Sequence, residues 1–374
     1  MEPIRILYVN GGIMSRGGIE SYMMNYYRNL DRDKIQIDFI VHGFEKGVYD
    51  DEIKLMGGRI YNVPVKSKDY IGNIKALRKI FLSGQYKIVH SHMDAMSTVV
   101  LKEAKKCGIP IRIAHSHNTQ HLTNSRLKFI LNEYARKNIK KYATHLFACS
   151  EDAGKWLFGK KSFDDGKVKI INNAIDLNKF KFDIIKRQKI RNELGIKDEF
   201  VIGHVGRFDY QKNHSFLLDI FKGVLEKLPK SKLILVGDGH LKNEIFNKIK
   251  KLNIKDNVII LGLRDDVNEI INAFDIFILP SLFEGLGIVG VEAQTNGLQC
   301  VLSDVIPKEI RITENVEFIS LNENPEVWVE KVVSISKKNN ERQENSELLK
   351  FCRYDINTEA EKLQKLYFDL LNKI

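Results

Sequence analysis

Residues 281–297 read SLFEGLGIVGVEAQTNG, with two carboxylates, Glu284 and Glu292, eight positions apart around a glycine-rich turn. The residues just before, 274–279, are apolar and end at Pro280, the pattern of a parallel strand buried on both faces. The loop that follows carries Glu284, Gly285, Leu286 and Gly287. The spacing then predicts a helix over 288–296, starting at Ile288, with Gly297 as its left-handed cap. One carboxylate at a strand's carboxyl end, open amides at a helix start and a second carboxylate inside that helix all face one crevice. Such a crevice suits a sugar attached to a diphosphate.

Each piece has a reason. A helix N-terminus offers unpaired N–H groups and a partial positive charge, and Gly285 and Gly287 let a phosphate approach them. Glu292 sits among Ile288, Val289, Val291 and Ala293, where an unpaired charge costs several kcal/mol or shifts its pKa. It therefore needs a partner, and vicinal ribose hydroxyls are a good one. Glu284, on the loop, is placed to accept hydrogen bonds from the hydroxyls of a transferred sugar. The plainer alternative is a helix whose glutamate pairs with a local lysine or arginine.

The rest of the chain alternates strands and helices. Strand-like runs fall at 4–9, 35–41, 59–63, 86–90, 111–115, 144–148 and 169–171, and then at 200–205, 232–236, 258–261, 274–279 and 299–302. Helical patterns fill the gaps, for instance 18–30 and 71–81. Alternation of this kind predicts an α/β protein of two doubly wound parallel-sheet domains, each with helices on both faces, facing each other across a cleft. At 374 residues the chain is longer than one core usually organises. The expected domains are 1–176 and 177–353, with the linker between Asn172 and Arg191, where the basic segment DLNKFKFDIIKRQKIR joins the halves, and a closing helix in 354–374.

Open parallel sheets bind ligands at the carboxyl ends of their strands. The run 200–205 delivers Gly206, Arg207 and Lys212 just before a helix, two cations at a ready-made anion site. By themselves, two such cations in a loop are most often solvated. The next strand end gives Gly237 in a tight turn, and the one after leads to Leu263 and Arg264. In the first half, GGIMSRGGIE at 11–20 follows a strand, but it has neither a Lys-Ser or Lys-Thr pair nor dinucleotide glycine spacing. Gly17 and Gly18 are either backbone contacts for a ligand or a structural turn. Two strand ends carry the same tripeptide, His90-Ser91-His92 and His115-Ser116-His117, with Asp94 nearby. Taken alone, these pairs would suggest a metal-dependent hydrolase. Asp31-Arg32-Asp33 follows a helix and reads as a polar turn.

Glu284 and Glu292 within PSLFEGLGIVGVEAQ (280–294) resemble the signature of retaining glycosyltransferases of family 4, and the likeness extends over nearly the whole chain, most closely to the branch that builds bacterial capsular and extracellular polysaccharides. The resemblance implies a GT-B architecture of two Rossmann-like domains, acceptor-binding first and donor-binding second, with the last helix returning to the first domain. It implies transfer of a hexosyl group, with retention, from a nucleotide-diphosphate sugar, UDP-linked in our reading, to a saccharide or lipid-linked saccharide. Arg207 and Lys212 match the donor-phosphate residues, the loop with Leu263 and Arg264 matches the base-reading loop, and Gly17 and Gly18 match a loop that closes over the donor and admits the acceptor. A functional histidine follows the strand equivalent to 111–114. Its usual offset falls on Ser116, so His115 and His117 both stand as candidates. No metal cofactor is implied. Same-face attack and double displacement are both compatible with the spacing. An epimerase or a nucleotide-sugar-binding protein would share the fold without transfer to an acceptor.

A formal net charge of +11 asks for an acidic partner. Nucleic acid is disfavoured, since zinc-finger spacing, an aromatic RNP-type strand and a helix-turn-helix pattern are all missing. Between 125 and 141, Arg126, Lys128, Arg136, Lys137, Lys140 and Lys141 interleave with Leu127, Ile130, Leu131 and Tyr134. This amphipathic pattern fits an anionic membrane surface, and equally an ordinary solvated helix face. No run approaches the roughly 20 apolar residues of a membrane helix, and MEPIRILYVN enters a strand without a leader pattern. The four scattered cysteines form no metal-type pair and read as reduced core residues. The expected location is the cytoplasm, peripheral on the inner membrane face.

Overall fold

The computed structural model describes residues 2–121, 123, 125–338 and 341–374. The chain forms two compact units, one of Met1–Ala174 with Ile356–Ile374 and one of Ile175–Asp355. Unit 1 contains strands β1 (Ile4–Val9), β2 (Ile35–His42), β3 (Ile60–Val63), β4 (Ile88–Ser91), β5 (Ile111–Ser116), β6 (His145–Ala148) and β7 (Val168–Ile170). Unit 2 contains β8 (Phe200–Val205), β9 (Ser231–Val236), β10 (Val258–Gly262), β11 (Ile276–Leu279), β12 (Gln299–Ser303) and β13 (Val316–Ile319). Every pairing is parallel, in the orders β3-β2-β1-β4-β5-β6-β7 and β10-β9-β8-β11-β12-β13. Each unit is thus a Rossmann-like doubly wound sheet.

Burial on both faces explains the near-continuous Ile, Val and Leu of the central strands: all eight residues of β2 and all four of β11 are buried. Helices start where short polar side chains satisfy their free amides, as at Asp69, Ser150 and Asn324, the last followed by Pro325 in the first turn. Gly297 adopts φ +74° after the helix Ile288–Thr295, the left-handed cap that the sequence predicts.

The division between the units at 174/175 lies within the expected linker, and the basic segment after it is helical. Helices Leu177–Phe180 and Ile184–Glu193 occupy it, with Asp176 and Asp183 accepting hydrogen bonds from their first-turn amides. Asp275 accepts from Arg187 Nη2 at 2.5 Å, Arg191 Nη1 at 3.3 Å and the Val201 amide at 2.7 Å. The basic composition of this stretch therefore reflects a clamp on Asp275 rather than a solvated connection. The cysteine expectation holds for Cys149 and Cys300, which are buried, while Cys107 and Cys352 are half-buried. Strand β13 is missing from the sequence reading because VEFI is short and lies at the sheet edge.

The closing helix Ile356–Leu371 belongs to unit 1, where Ile356, Ala360, Leu363, Tyr367 and Leu370 join its core. Buried polar contacts fix its register: the Tyr367 hydroxyl lies 2.8 Å from the Tyr8 hydroxyl and 2.7 Å from His90 Nδ1. Tyr367→Phe would leave two buried polar groups short of a partner. It is expected to lower unfolding stability by about 1–3 kcal/mol, read as a shift in denaturant midpoint at unchanged slope. An unchanged midpoint would contradict this role.

Candidate active site

In unit 2 the strand order reverses between β8 and β11, so the segments leaving those two strands diverge to opposite faces and open a crevice at their carboxyl ends. The loops bordering it are 206–213 and 280–287. They carry Gly206, Arg207, Lys212, Glu284, Gly285, Leu286 and Gly287 of the candidate donor-binding residues.

After β8 the chain passes through Gly206 and Arg207 into a single 3-10 turn, Tyr210–Lys212, whose N-cap Asp209 accepts from the Lys212 amide. Asn213 then takes a left-handed conformation, φ +53°, and the helix His214–Lys227 begins. Lys212 Nζ donates to Glu284 Oε1 at 2.6 Å. The two side chains are 14% and 7% exposed, so this is a buried ion pair across the crevice. Gln211 supports it, donating through Nε2 to Glu284 Oε2 at 3.2 Å and to the Phe283 carbonyl at 3.0 Å, while its own carbonyl accepts from the Leu282 amide at 2.8 Å.

Two glycines make the arrangement possible. A Cβ on Gly206 would lie 3.0 Å from Cγ and Cδ of Lys212, so the lysine stem lies directly over this backbone. Gly237 has φ +145°, and a Cβ there would meet the Gly206 carbonyl oxygen at 2.1 Å. Any larger residue would force the ends of β8 and β9 apart.

Gly287, at φ +86°, precedes the helix Ile288–Thr295, whose opening amides have no partner inside the helix. Glu292 projects from this helix with only part of its surface open. Burial raises its pKa to about 7, opposed by the positive charge of Lys212. Among the described residues no protein donor bonds its carboxylate, so the plainer reading of a locally paired glutamate does not hold. Gln294 anchors the helix from behind, donating to the carbonyls of Gly290 and Ile310 and accepting from the amides of Ile312 and Thr313.

Lys212, Glu284, Gly285, Leu286, Gly287, Ile288 and Glu292 thus line this switch point. Arg207 reaches outward, 58% exposed and 3.9 Å from Asp209. Leu263 is also exposed, and Arg264 forms a two-pronged bond with Asp266 at 2.8 and 2.6 Å. Sequence reasoning missed Gln211, whose only signal was its place beside Lys212 in the turn. It also missed His204 and His214, buried beneath Gly206 and Phe208.

In unit 1 the order reverses between β1 and β4. Gly17 is the extended N-cap of the helix Gly18–Asn29, and Asn10 braces the loop between β1 and this helix by donating to the Ile13 carbonyl and Glu20 Oε1, each at 3.0 Å. Strand alternation puts His90 and His92 on one face of the sheet, and the adjacent parallel β5 sets His115 and His117 beside them. His90 Nε2 lies 3.0 Å from His115 Nδ1, and His92 Nδ1 lies 2.9 Å from His117 Nε2. All four are buried, and burial holds each pKa below the usual histidine value, that of His117 at about 3. Both candidate histidines are therefore neutral imidazoles inside one cluster.

Removing the lysine from a buried pair strands the carboxylate. Lys212→Ala is accordingly expected to lower stability by about 3 kcal/mol, whereas Lys212→Ala with Glu284→Gln should recover part of that loss. Equal destabilisation of the single and double variants would show that the pair is uncoupled.

Glu292 yields a pH signature. Its folded pKa of about 7 exceeds the ordinary 4.5, so between these values the folded state holds the extra proton and stability falls as pH rises. Glu292→Gln should remove that slope and raise stability at pH 8 by about 3 kcal/mol. Parallel stability profiles for the native chain and the variant from pH 5 to 8 would rule this out.

Comparison with known proteins matches both units. A family model described as Glycosyltransferase Family 4 covers residues 16–179, and one described as Glycosyl transferases group 1 covers residues 186–347. The chain is 36% identical over 335 residues to EpsF of Bacillus subtilis (strain 168), spanning 88% of this chain and 86% of that protein. It is 29% identical over 321 residues to the UDP-Gal:alpha-D-GlcNAc-diphosphoundecaprenol alpha-1,3-galactosyltransferase of Escherichia coli, covering 79% of each. The fold is shared with Anabaena HepE, solved in complex with UDP and glucose, at a TM-score of 0.80 and 20% identity over 97% of this chain and 99% of that one. With a relative 36% identical over most of both chains and both family matches in hand, the chain belongs to the group 1, family 4 glycosyltransferases.

Proposed function

We propose that the protein transfers a hexosyl group, with retention, from a UDP-sugar to a hydroxyl of a lipid-linked saccharide during assembly of a bacterial surface polysaccharide. The observation that carries this reading is Glu292, an enclosed carboxylate without a protein partner among the described residues, beside Lys212 and one turn into a helix that begins at Ile288 and has no side-chain cap. Ribose hydroxyls supply the missing donors, and the diphosphate occupies the helix start. Arg207, exposed and loosely held, swings onto the phosphates. Together with Lys212 and the amides it stabilises the charge that develops on the leaving UDP, which is electrostatic catalysis by fixed donors. Glu284, held by Lys212 and Gln211, orients the hydroxyls of the transferred sugar. The loop around Leu263 and Arg264 meets the base, and the loop at Gly17 and Gly18 admits the acceptor. His115 and His117 are neutral and suit hydrogen bonding to a sugar hydroxyl rather than proton donation. The donor and acceptor classes are supported by the Escherichia coli relative, whose name gives UDP-Gal as donor and a diphosphoundecaprenol-linked sugar as acceptor, and by the UDP seen in HepE. Protein cations serve the diphosphate in this reading, without a divalent ion.

A lipid-linked acceptor calls for a membrane-facing surface. The helix Arg126–Asn138 supplies one: Leu127, Ile130, Leu131 and Tyr134 lie one helical face apart from the core and are each more than half exposed. Its inner side is held by Arg136 Nη1 donating to the Trp156 carbonyl and by Thr98 donating to the Ala135 carbonyl. Lys128, Lys137, Lys140 and Lys141 surround the exposed face with positive charge. No described helix is long and apolar enough to cross a membrane.

Titrating UDP into the purified protein in buffer with a chelator tests the donor site. Binding is expected, and Arg207→Ala should weaken it by about 1.5–3 kcal/mol. A folded native chain that takes up no UDP would overturn the UDP assignment. Flotation with vesicles rich in anionic lipid should carry the native protein upward, and Leu127→Asp with Ile130→Asp should leave it in the bottom fraction. Failure of the native chain to float would remove the helix from this role.

A further inference from the structure

The donor reading leaves one enclosed cation of unit 1 unused. Lys66 follows β3 after Pro64 and Val65; its stem is half-buried, while its Nζ is buried and bonds nothing among the described residues. This inverts the ordinary arrangement, in which a lysine lays its stem on apolar surface and keeps the amine in water. Burial lowers its pKa to about 8, and no carboxylate among the described residues offsets that loss. An ammonium held in this way is costly until an anion joins it.

His42, at the end of β2, is 4% exposed and lies within reach of that charge. Burial first, and then Lys66, hold its pKa at about 4, so the ring is neutral. Its Nδ1 lies 2.7 Å from the Asn10 carbonyl oxygen, which can only accept, so Nδ1 carries the ring proton and Nε2 is a bare acceptor. That Nε2 is also buried and bonds nothing among the described residues.

The backbone explains why the two meet. His42 pairs with Val63 across β2 and β3, its amide donates to the Gly12 carbonyl at 3.1 Å, and the Gly43 amide donates to the Val63 carbonyl at 2.9 Å. Gly43 has φ +127°, and a Cβ there would lie 3.3 Å from Ile13 Cγ2 and 4.0 Å from Val65 Cγ2. The segments leaving β1, β2 and β3 are thus packed together at the carboxyl end of the sheet, where open parallel sheets bind their ligands.

We propose that Lys66 and His42 form a subsite for the phosphate-bearing sugar of the acceptor, with Lys66 donating to a phosphate oxygen and His42 Nε2 accepting from a sugar hydroxyl. A cation beside a bare acceptor calls for an anion and a hydroxyl donor side by side, and a glycosyl phosphate carries both. Lysine suits the phosphate as a compact point charge. Assignment to the acceptor rests on the transfer reading above, with the saccharide joined to its lipid through phosphate. Phe44, Tyr70 and Ile71 are exposed on the segments that follow the same two strands, and give the lipid end an apolar surface.

The test uses the full-length protein with UDP present, so that the donor crevice is filled. N-acetylglucosamine 1-phosphate and the methyl glycoside of the same sugar are titrated by calorimetry into the native chain and into Lys66→Met, which keeps the stem and removes the charge. The native chain is expected to bind the phosphate about tenfold more tightly than the methyl glycoside, and Lys66→Met should erase that preference. In transfer assays Lys66→Met should raise KM for a polyprenyl diphosphate-linked saccharide by about tenfold, with kcat changed less. Should Lys66→Met fail to fold, Lys66→Gln takes its place, and the native preference for phosphate still decides. A native chain without that preference, or the same preference in a folded variant, would overturn the subsite. An unchanged KM for the lipid-linked saccharide would overturn its assignment to the acceptor. UDP titrated separately into the same preparations tells this result from the donor reading: a chain that takes up no UDP, yet prefers the phosphate through Lys66, keeps the subsite and loses only the donor assignment.

Discussion

The buried pair of Lys212 with Glu284 joins the two loops that the reversal of strand order sets side by side. Its position is dictated from below. β8 and β11 are neighbours in the sheet, so their following loops emerge adjacent, while the segments beyond them depart in opposite directions. A lysine on one loop and a glutamate on the other satisfy each other in a place where either alone would be costly. The pair holds both loops in register with the helix Ile288–Thr295, and Glu292 depends on that helix for its enclosure. Neutralising one carboxylate while leaving the other unpartnered gives the crevice its distinct character: a cation and open amides on one side, and a carboxylate seeking hydroxyl donors on the other. That polarity matches a nucleoside diphosphate, whose phosphates and ribose require opposite chemistry a few ångströms apart.

Much of this was legible from the residues. Apolar runs such as 274–279 announce strands buried on both faces, and glycines at 287 and 297 mark a helix start and stop, each found at positive φ. The carboxylate spacing and Lys212 point to the two loops that border the switch point, whereas Arg207 lies outward. What escaped was contact between segments far apart in sequence. Gln211 has no pattern of its own and acquires a role only because the loop carrying Phe283 and Glu284 lies against it. The clamp on Asp275 recruits Arg187 and Arg191 from 84 to 88 positions away, so the basic stretch just past the unit boundary is packed against unit 2. Gly237 likewise looked like ordinary turn chemistry, yet it is required by the Gly206 carbonyl lying where a side chain would go.

Unit 1 shows the same limit in another form. The repeated His-Ser-His tripeptides were visible, and strand alternation predicts that the histidines of each share a face. Only the pairing of β4 with β5 reveals that the two pairs meet, and only the return of the last helix brings Tyr367 onto His90. One buried polar cluster thus joins Tyr8 near one end of the chain to Tyr367 near the other.

The central claim is sugar transfer to an acceptor, and the most direct measurement is UDP release from a UDP-hexose by the purified protein, with and without a lipid-linked saccharide. The account predicts release that depends on the acceptor and a product carrying the sugar with its anomeric configuration retained. Interconversion of the UDP-sugar without acceptor, or release that ignores the acceptor, would contradict it.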